Sequence, residues 1–212
     1  MNTNCSLILL SGGTGSRFGA NQPKQYLPFQ GEPLILHALK NSLKIPEITE
    51  IVVVCHETYE YIFDGYPVKF AHSGERRQDS VFSGLQKVTN PWVLVHDGAR
   101  PFIYPDEVAE LVAAAQQTGA ATLVSTVPYT IKQRDPVKTI DRDSLSIVHT
   151  PQCLKTSILF EGLTLANKRN LTLSDDTQAA ELLDISVSLV FNKHPQIKIT
   201  YPEDLTIAHA LL

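Results

Sequence analysis

A glycine-rich turn directly after the first apolar run carries the strongest chemical signal in the chain. It spans residues 11–17 with the sequence SGGTGSR, and Lys24 follows within Pro23-Lys24-Gln25. Glycines let a backbone approach a ligand closely, so that the amides can point at phosphate oxygens. Arg17 can hold two oxygens at once, and Lys24 adds a mobile charge. The turn is neither a Walker loop nor a complete dinucleotide fingerprint, and with these two cations it indicates triphosphate binding.

A second polar segment, residues 73–80 with the sequence SGERRQDS, has two interpretations. It can be a solvated turn in which Asp79 caps the helix that follows. It can instead recognise a base, with backbone groups near Gly74 and the Ser80 hydroxyl reading the edge of a small pyrimidine. The segment on its own leaves both interpretations open.

A third polar segment, HDGARP at residues 96–101, lies at the end of an apolar run. A carboxylate such as Asp97, at a strand end beside a phosphate-binding turn, is a natural place to hold Mg²⁺ or its waters. Arg100 can alternatively pair with Asp97 or another carboxylate and close a turn. His96 precedes Asp97 on the alternating strand, and we expect it to face the core and to be hydrogen-bonded there.

Several later polar residues have ordinary structural explanations when they are taken singly. Asp175 with Gln178 resembles a capping box, and Lys198 alternates with two isoleucines as the outward residue of a strand would. The full set is Thr130, Lys132, Asp141, Arg142, Thr150, Pro151, Gln152, Ser174, Asp175, Asp176 and Lys198.

Short apolar runs alternate with helical patterns along the chain, which favours an α/β fold with a mostly parallel, twisted sheet flanked by helices. We predict strands at residues 6–10, 51–54, 68–70, 92–95, 122–125, 187–191 and 197–199. Helices are predicted after residue 33, through residues 81–88, from residue 106, around residues 159–166, after residue 175 and from residue 202. Polar segments follow the first, third and fourth strands. Because the carboxyl ends of such strands form one ligand-binding edge, we expect a joint site there.

The composition excludes some classes of protein. The chain is 43% hydrophobic, enough for a globular core, and 18 Lys and Arg against 22 Asp and Glu give a net charge of −4. A mildly acidic chain is a poor candidate for nucleic-acid binding, which draws on a basic surface. Cys5, Cys55 and Cys153 show no paired spacing, and the apolar runs are too short to cross a bilayer. We therefore expect a cytoplasmic protein with no membrane partner.

Taken together, the polar segments resemble one family, the 2-C-methyl-D-erythritol 4-phosphate cytidylyltransferases of the non-mevalonate isoprenoid pathway. The resemblance rests on residues 12–17, 23–25, 74–80, 96–101, 130, 141–142, 150–152, 175–176, 197–200 and 202–205, in the family's order across nearly the whole chain. It implies a Rossmann-like nucleotidyltransferase fold in a single domain, residues 1–212. It also implies a homodimer joined through a protruding arm at about residues 128–149, a segment that lacks a helical period and that we interpret as an extended arm or hairpin.

The resemblance further implies Mg²⁺-dependent transfer of CMP from CTP to 2-C-methyl-D-erythritol 4-phosphate, with pyrophosphate released. The catalytic residues would be Arg17, Lys24 and Lys198. The nucleotide-binding residues would be Ser11, Gly12, Gly13, Gly15, Gly74, Glu75 and Ser80. The substrate-binding residues would be Asp97, which also lies near the metal, Arg100, Thr130, Arg142, Thr150 and Ser174. Thr130 and Arg142 would come from the arm of the partner.

Two alternative functions remain open. A ribitol 5-phosphate cytidylyltransferase would share the glycine-rich turn, the segment at residues 96–101 and the Thr-Pro-Gln triplet, whereas residues 141–142 and 175–176 favour methylerythritol phosphate. A non-catalytic nucleotide-binding regulator would not need to keep all of the cations. The chain departs from the family at Leu10, where proline is frequent, at Gly98, where alanine is frequent, and at Tyr129, where aspartate is frequent.

Overall fold

The computed structural model describes residues 3–13, 18–19 and 22–211. Its strands are β1 (Cys5–Leu10), β2 (Pro28–Phe29), β3 (Glu32–Pro33), β4 (Ile48–Cys55), β5 (Lys69–His72), β6 (Trp92–Asp97), β7 (Ala120–Thr126), β8 (Ile131–Gln133), β9 (Lys138–Ile140), β10 (Ser146–Lys155) and β11 (Val187–Phe191). Its α-helices are α1 (Leu34–Ser42), α2 (Arg77–Leu85), α3 (Pro105–Thr118), α4 (Thr156–Lys168), α5 (Gln178–Glu181) and α6 (Pro202–Ala210). Short 3-10 helices lie at Lys24–Tyr26, Glu57–Phe63 and Arg142–Ser144.

Seven strands form one sheet in the order β11-β7-β10-β6-β1-β4-β5. Neighbouring strands run parallel, except that β10 is antiparallel to both β6 and β7. The predicted α/β fold with a mostly parallel sheet is therefore confirmed. All the predicted helices are present within a few residues of their expected positions, although α2 ends at Leu85, before the predicted limit.

Helices cover both faces of the sheet because successive side chains of a strand point to opposite sides. On β1, Leu7 and Leu9 join the core beneath α1 and α3, while Ile8 joins the core beneath α2 and α4. Strands that are buried on both faces read as continuous apolar runs, which is why β1 and β4 could be recognised in the sequence.

The sequence pattern does not predict β10, although this strand lies near the middle of the sheet. We expected a helix to follow the arm directly, whereas a ten-residue strand precedes α4. Gln152 lies opposite Val95 of β6 on one side and Thr122 of β7 on the other. The sequence SIVHTPQCLK carries a proline and several polar residues, so it has neither the alternating nor the continuous apolar pattern of a strand.

The strand predicted at residues 197–199 is wrong, since the structure assigns no strand there. Ile199 is fully buried, and its backbone N–H donates one hydrogen bond to the carbonyl of Ala99, at 2.8 Å. The alternation of apolar and polar residues therefore reflects a single buried anchor in a connecting segment and does not reflect a paired strand.

A small hairpin of β8 and β9 lies within the predicted arm, with Lys132 opposite Thr139. Nearly all its side chains are exposed, including the apolar Val137. The role of this segment in a dimer stays a prediction.

The carboxyl ends of the parallel strands meet at one edge of the sheet. The ends of β1 and β6 come especially close, because the N–H of Gly98 donates to the carbonyl of Leu10 at 2.8 Å. A Cβ atom at Gly98 would lie 2.6 Å from that carbonyl oxygen, which is too close for an unstrained contact. Glycine at position 98 therefore suits the close approach of the two strand ends.

No helix within the described residues is long and apolar enough to cross a membrane. The three cysteines are buried, unpaired thiols, as their spacing predicts.

Candidate active site

Residues Lys24–Tyr26, the 3-10 helix after the glycine-rich turn, make hydrogen bonds to residues 11–13 of that turn. Gln25 Nε2 donates to the carbonyls of Ser11 and Gly13, at 2.7 and 2.8 Å. The hydroxyl groups of Ser11 and Tyr26 are also hydrogen-bonded, at 2.6 Å. These contacts fix residues 11–13, the described part of the turn, against the segment that carries Lys24. Gly15 and Arg17, which we predicted to bind the nucleotide and its triphosphate, lie outside the described residues.

A cleft of about 270 Å³ opens at the carboxyl edge of the sheet. It brings together most of the predicted nucleotide-binding and catalytic residues that the structure describes, namely Gly12, Gly13, Lys24, Gly74, Glu75, Ser80 and Lys198. Asp97, predicted to bind the substrate and to lie near the metal, lines the same cleft. Ser11 lies at a neighbouring pocket, on the far side of Gly12. Residues that are far apart in the sequence thus line one cleft, as the expectation of a joint site at this edge predicts.

The segment at residues 73–80 forms one wall of the cleft. The N–H of Gly74 donates to the Ser80 hydroxyl at 3.0 Å, and a Cβ atom at Gly74 would lie 2.4 Å from the Cβ of Asp79. Asp79 Oδ2 accepts from the backbone N–H of Arg76 at 3.1 Å, so Asp79 caps α2 as one interpretation predicted. Glycine at position 74 permits this close contact with the start of α2, and Gly74 also lines the cleft.

Asp97 lies at the floor of the cleft and binds a cation with each carboxylate oxygen. Arg77 Nε donates to Oδ1 at 3.1 Å, and Lys198 Nζ donates to Oδ2 at 2.6 Å. Burial would raise the pKa of Asp97, but the charges of Arg77 and Lys198 outweigh burial and hold this pKa well below its usual range. Asp97 is therefore an anion at neutral pH and fixes both cations in place.

Arg77 is a candidate functional residue that the sequence does not single out. Besides Asp97, it binds Asp176 through two parallel hydrogen bonds of 2.8 Å each. Burial would lower the pKa of Arg77, but Asp176 and Asp97 raise it above its ordinary value. The pair Arg76-Arg77 at the start of a helix was the available signal, yet only the structure shows that Arg77 faces the carboxylates, while Arg76 pairs with Asp79.

Gln152 of β10 holds the buried Asp176 in place behind Arg77, which lines the cleft. Its Oε1 accepts from the backbone N–H groups of Asp176 and Thr177, at 2.8 and 3.1 Å. Its Nε2 donates to the Thr122 hydroxyl at 3.0 Å and to Asp175 at 3.2 Å. Every hydrogen-bonding atom of this buried amide is used, so the unpredicted strand fixes the acidic loop at residues 174–177.

The capping box expected at Asp175 does not form as predicted, because Thr177 is the residue before α5 and its side chain makes no capping bond. Asp175 and Gln178 instead bond to nearby backbone groups. The N–H of Gln178 donates to Asp175 Oδ1 at 3.0 Å, while Gln178 Oε1 accepts from the N–H of Ser174 at 2.8 Å. Ser174 is exposed at the start of this loop.

Arg100 lies beneath the cleft floor, with only 8% of its surface exposed. Its Nη1 donates to His149 Nδ1 at 3.3 Å, and within the described residues its buried Nε has no hydrogen-bond partner. Burial and the charge of Arg100 lower the pKa of His149 to about 4, so this imidazole is neutral at pH 7 and can accept. His149 Nε2 then donates to the Ser125 hydroxyl at 2.9 Å.

Thr150 links the strand end of β6 to a buried histidine. Its hydroxyl accepts from the Asp97 N–H at 3.1 Å and donates to His96 Nδ1 at 3.2 Å, while His96 Nε2 donates to the Arg100 carbonyl at 3.0 Å. Burial lowers the pKa of His96 to about 4, which keeps the ring neutral. The prediction that His96 faces the core and is hydrogen-bonded there is confirmed.

Thr130 and Arg142 are exposed residues of the arm segment and do not line the described part of the cleft. Arg142 Nη1 donates to the carbonyl of Pro128 at 3.0 Å. Their predicted contact with a substrate held by another copy of the chain stays a prediction.

Taken together, the fold and the cleft define an α/β protein with a polar cleft at the carboxyl edge of its mostly parallel sheet, where ligands of such folds bind, lined by Gly12, Gly13 and several cations. The sequence model of a family described as 2-C-methyl-D-erythritol 4-phosphate cytidylyltransferase matches residues 5–212. The chain belongs to this family.

Individual relatives agree with this assignment. Proteins named 2-C-methyl-D-erythritol 4-phosphate cytidylyltransferase from Chlamydia felis and Chlamydia abortus are 80% and 79% identical over 212 residues, which is all of this chain and 100% and 98% of theirs. A crystal structure of the protein of that name from Thermus thermophilus superposes with a TM-score of 0.86 at 32% identity, covering 99% of this chain and 98% of that one.

We predict that Arg77→Met lowers the free energy of unfolding by about 2 kcal/mol, between the values for exposed and buried ion pairs. The variant leaves Asp176 buried without its cation, whereas Arg77 itself is 31% exposed in its side chain. Urea denaturation measures the change. The double variant Arg77→Met/Asp176→Asn should recover at least about half of the loss, because the uncompensated charge is removed.

The matched control for this experiment is Arg76→Met, which removes a neighbouring arginine from a more exposed pair with Asp79. We expect it to change stability by less than about 1 kcal/mol. Equal losses in the two single variants would contradict a special role of the Arg77 bridge.

Proposed function

We propose that the chain transfers CMP from CTP to 2-C-methyl-D-erythritol 4-phosphate, which yields 4-diphosphocytidyl-2-C-methyl-D-erythritol and pyrophosphate. Membership of the family supports this activity, and one structural observation carries its chemistry. Lys24 and Lys198 line the same cleft as Gly12, Gly13 and Asp97, although 174 positions separate the two lysines in the sequence (198 − 24). Two lysines that line one small cleft suit a triphosphate.

The reaction needs no strong general base. An oxygen of the phosphate group of methylerythritol phosphate is already an anionic nucleophile, and it forms a bond to the α-phosphorus of CTP. The bond between that phosphorus and the oxygen that bridges to the β-phosphate breaks, and its electron pair leaves with pyrophosphate. No proton has to move, so the protein's contribution is alignment and stabilisation of charge.

Lys24 and Lys198 supply that stabilisation where negative charge gathers on the oxygens around the α-phosphorus. Asp97 holds Lys198 in the cleft before any ligand arrives, so little reorganisation is needed at the moment of reaction. Arg17, for which we also propose a role at the triphosphate, would act from the glycine-rich turn.

We further propose that the cytosine and ribose lie between residues 11–13 and residues 74–80. Backbone groups at Gly12, Gly13 and Gly74 face the cleft, with Glu75 and Ser80 beside them. Backbone donors and acceptors at fixed positions can distinguish the exocyclic amine of cytosine from the carbonyl of uracil.

The residues present fit a magnesium ion that is held mainly by the nucleotide. Within residues 3–13, 18–19 and 22–211, no group of three or more His, Cys, Asp or Glu side chains could hold a metal by itself. Mg²⁺ commonly takes one protein carboxylate together with substrate phosphates. Asp97 is the carboxylate at the cleft floor, and its oxygens keep acceptor capacity beyond the bonds to Arg77 and Lys198. When bound, the ion would neutralise charge on the phosphates.

We propose that the active form is a homodimer in which Thr130 and Arg142 of the partner's arm reach the phosphate of methylerythritol phosphate. Exposed apolar side chains on the segment, Tyr129, Ile131 and Val137, are consistent with a surface that another copy covers. Arg100, Thr150 and Ser174 would complete the substrate-binding set. The net charge of −4 and the unpaired thiols suit a cytoplasmic enzyme without nucleic-acid or membrane partners.

Pyrophosphate release by the purified chain with CTP and Mg²⁺ tests the proposed function, with methylerythritol phosphate and ribitol 5-phosphate offered in parallel. We expect release with methylerythritol phosphate. A preference for ribitol phosphate would keep the reaction class and reject the acceptor. If neither acceptor gave pyrophosphate release although the chain bound CTP, the result would favour a nucleotide-binding regulator.

The same assay tests the cations. We predict that Lys24→Ala and Lys198→Ala each lower turnover at saturating CTP by at least about 10²-fold, as expected when a donor to the transition state is lost. Lys168→Ala, on the exposed face of α4, is the matched control and should keep full turnover. Near-normal turnover in either active-site variant would remove that lysine from the mechanism.

A further inference from the structure

Lys198 lies in the connection between β11 and α6, residues 192–201, to which the structure assigns no helix or strand. A lysine on a paired strand would be held in place by the hydrogen-bond ladder of the sheet. In this connection other contacts must determine where the ammonium group points. The position of Lys198 over Asp97 therefore depends on whatever fixes the backbone on either side of it.

Glu107, in the first turn of α3, fixes the chain before Lys198. Its Oε1 accepts from the backbone N–H groups of Lys193 and His194, at 2.7 and 2.9 Å. Its Oε2 accepts from Gln196 Nε2 at 2.7 Å. Glu107 is 1% exposed, so these three bonds are made away from water.

The chemistry of this contact specifies a carboxylate. Three neutral donors converge on two acceptor oxygens, and hydrogen bonds to an ionised acceptor are stronger than those to a neutral one. A glutamine has only one acceptor oxygen, so it would direct an N–H group at one of the donors. Glutamate is therefore the residue type at position 107 that accepts from all three donors.

The chain after Lys198 is fixed separately. Ile199 is fully buried and its N–H donates to the carbonyl of Ala99, next to the strand end that carries Asp97. Gln196 and Lys198 are two positions apart, a span of at most about 7 Å. A shift of the chain at residues 193–196 is thus passed to Lys198 with little slack, because the other side cannot move with it.

We propose that Glu107 is a positioning residue for catalysis, which places Lys198 over Asp97 by holding residues 193–196. The inference rests on the proposed function, because Lys198 is taken to act on the triphosphate. Glu107 is buried and is not among the residues that line the described cleft, so its effect on turnover passes through Lys198 alone.

Turnover in a double-mutant cycle tests the inference. We expect Glu107→Gln to lower kcat by about 10-fold, as for a catalytic group displaced by less than an ångström, with KM for both substrates within about 3-fold. In a Lys198→Ala background the same substitution should change kcat by less than about 2-fold, because there is no amine left to misplace. An equal loss of kcat in both backgrounds, or full turnover in Glu107→Gln, would overturn the inference.

Three further variants separate loss of positioning from general loss of structure. Glu110→Gln makes the same chemical change one turn along α3, where the carboxylate pairs with the exposed Lys193 side chain and not with the backbone, within the part of the chain that the structure describes, and it should keep full turnover. The exchange Glu107→Gln/Gln196→Glu restores a donor opposite an acceptor, and we expect kcat to return to within about 3-fold of normal. Gln196→Ala removes a single bond and gives a milder probe should Glu107→Gln fold poorly, and its loss of kcat must also vanish in the Lys198→Ala background.

Amide hydrogen exchange of residues 192–200, followed by mass spectrometry, tests without any substrate whether Glu107 holds this segment in place. We expect faster exchange in Glu107→Gln than in the unmodified chain and near-normal exchange in the double exchange variant. Unchanged exchange in Glu107→Gln would overturn the inference, whatever the activity. An unmodified chain that releases no pyrophosphate would instead overturn the proposed function, so the two failures are distinguishable.

Discussion

The ionised carboxylate of Asp97, held between Arg77 and Lys198, is the interaction on which the geometry of the site depends. It connects the end of β6 with the start of α2 and with the segment before α6, while Arg77 extends the link to Asp176. Because the pKa of Asp97 lies well below its ordinary value, the interaction is fully formed above that ordinary value. It is lost only when the pH falls through the lowered value. At neutral pH the cleft is therefore preorganised with its cations in place.

Neutral groups beneath the cleft complement this charged cluster. His96 and His149 both have pKa values near 4, so both rings are neutral at pH 7. Each ring donates one hydrogen bond and accepts another, His96 from Thr150 and His149 from Arg100. A neutral imidazole can accept a hydrogen bond from a guanidinium, whereas a protonated one would repel it. The neutral ring of His149 thus accepts a hydrogen bond from Arg100, a further cation besides Arg77 and Lys198 that lies beneath the cleft.

Much of the site could be predicted from the sequence, because parallel strands end at one edge and the polar segments follow those strands directly. The position of Lys198 could not be predicted in this way. Its neighbours Ile197 and Ile199 give the alternating pattern of a strand, whereas the buried Ile199 and the contacts from α3 hold this segment without a strand. Arg77 could not be singled out from the sequence because its partners, Asp97 and Asp176, lie 20 and 99 positions away. The strand β10 was missed because burial between β6 and β7, and not its own polar sequence, makes it a strand.

A carbon-13 NMR titration of the Asp97 carboxyl group tests the central claim most directly, with aspartate-labelled protein and Asp97→Asn to assign the signal. The structure predicts that this signal stays at its ionised position well below pH 4, the ordinary range for aspartate, until acid unfolds the protein. Titration at or above about pH 4 would mean that Arg77 and Lys198 do not hold the carboxylate as described, and the preorganised cluster would have to be abandoned.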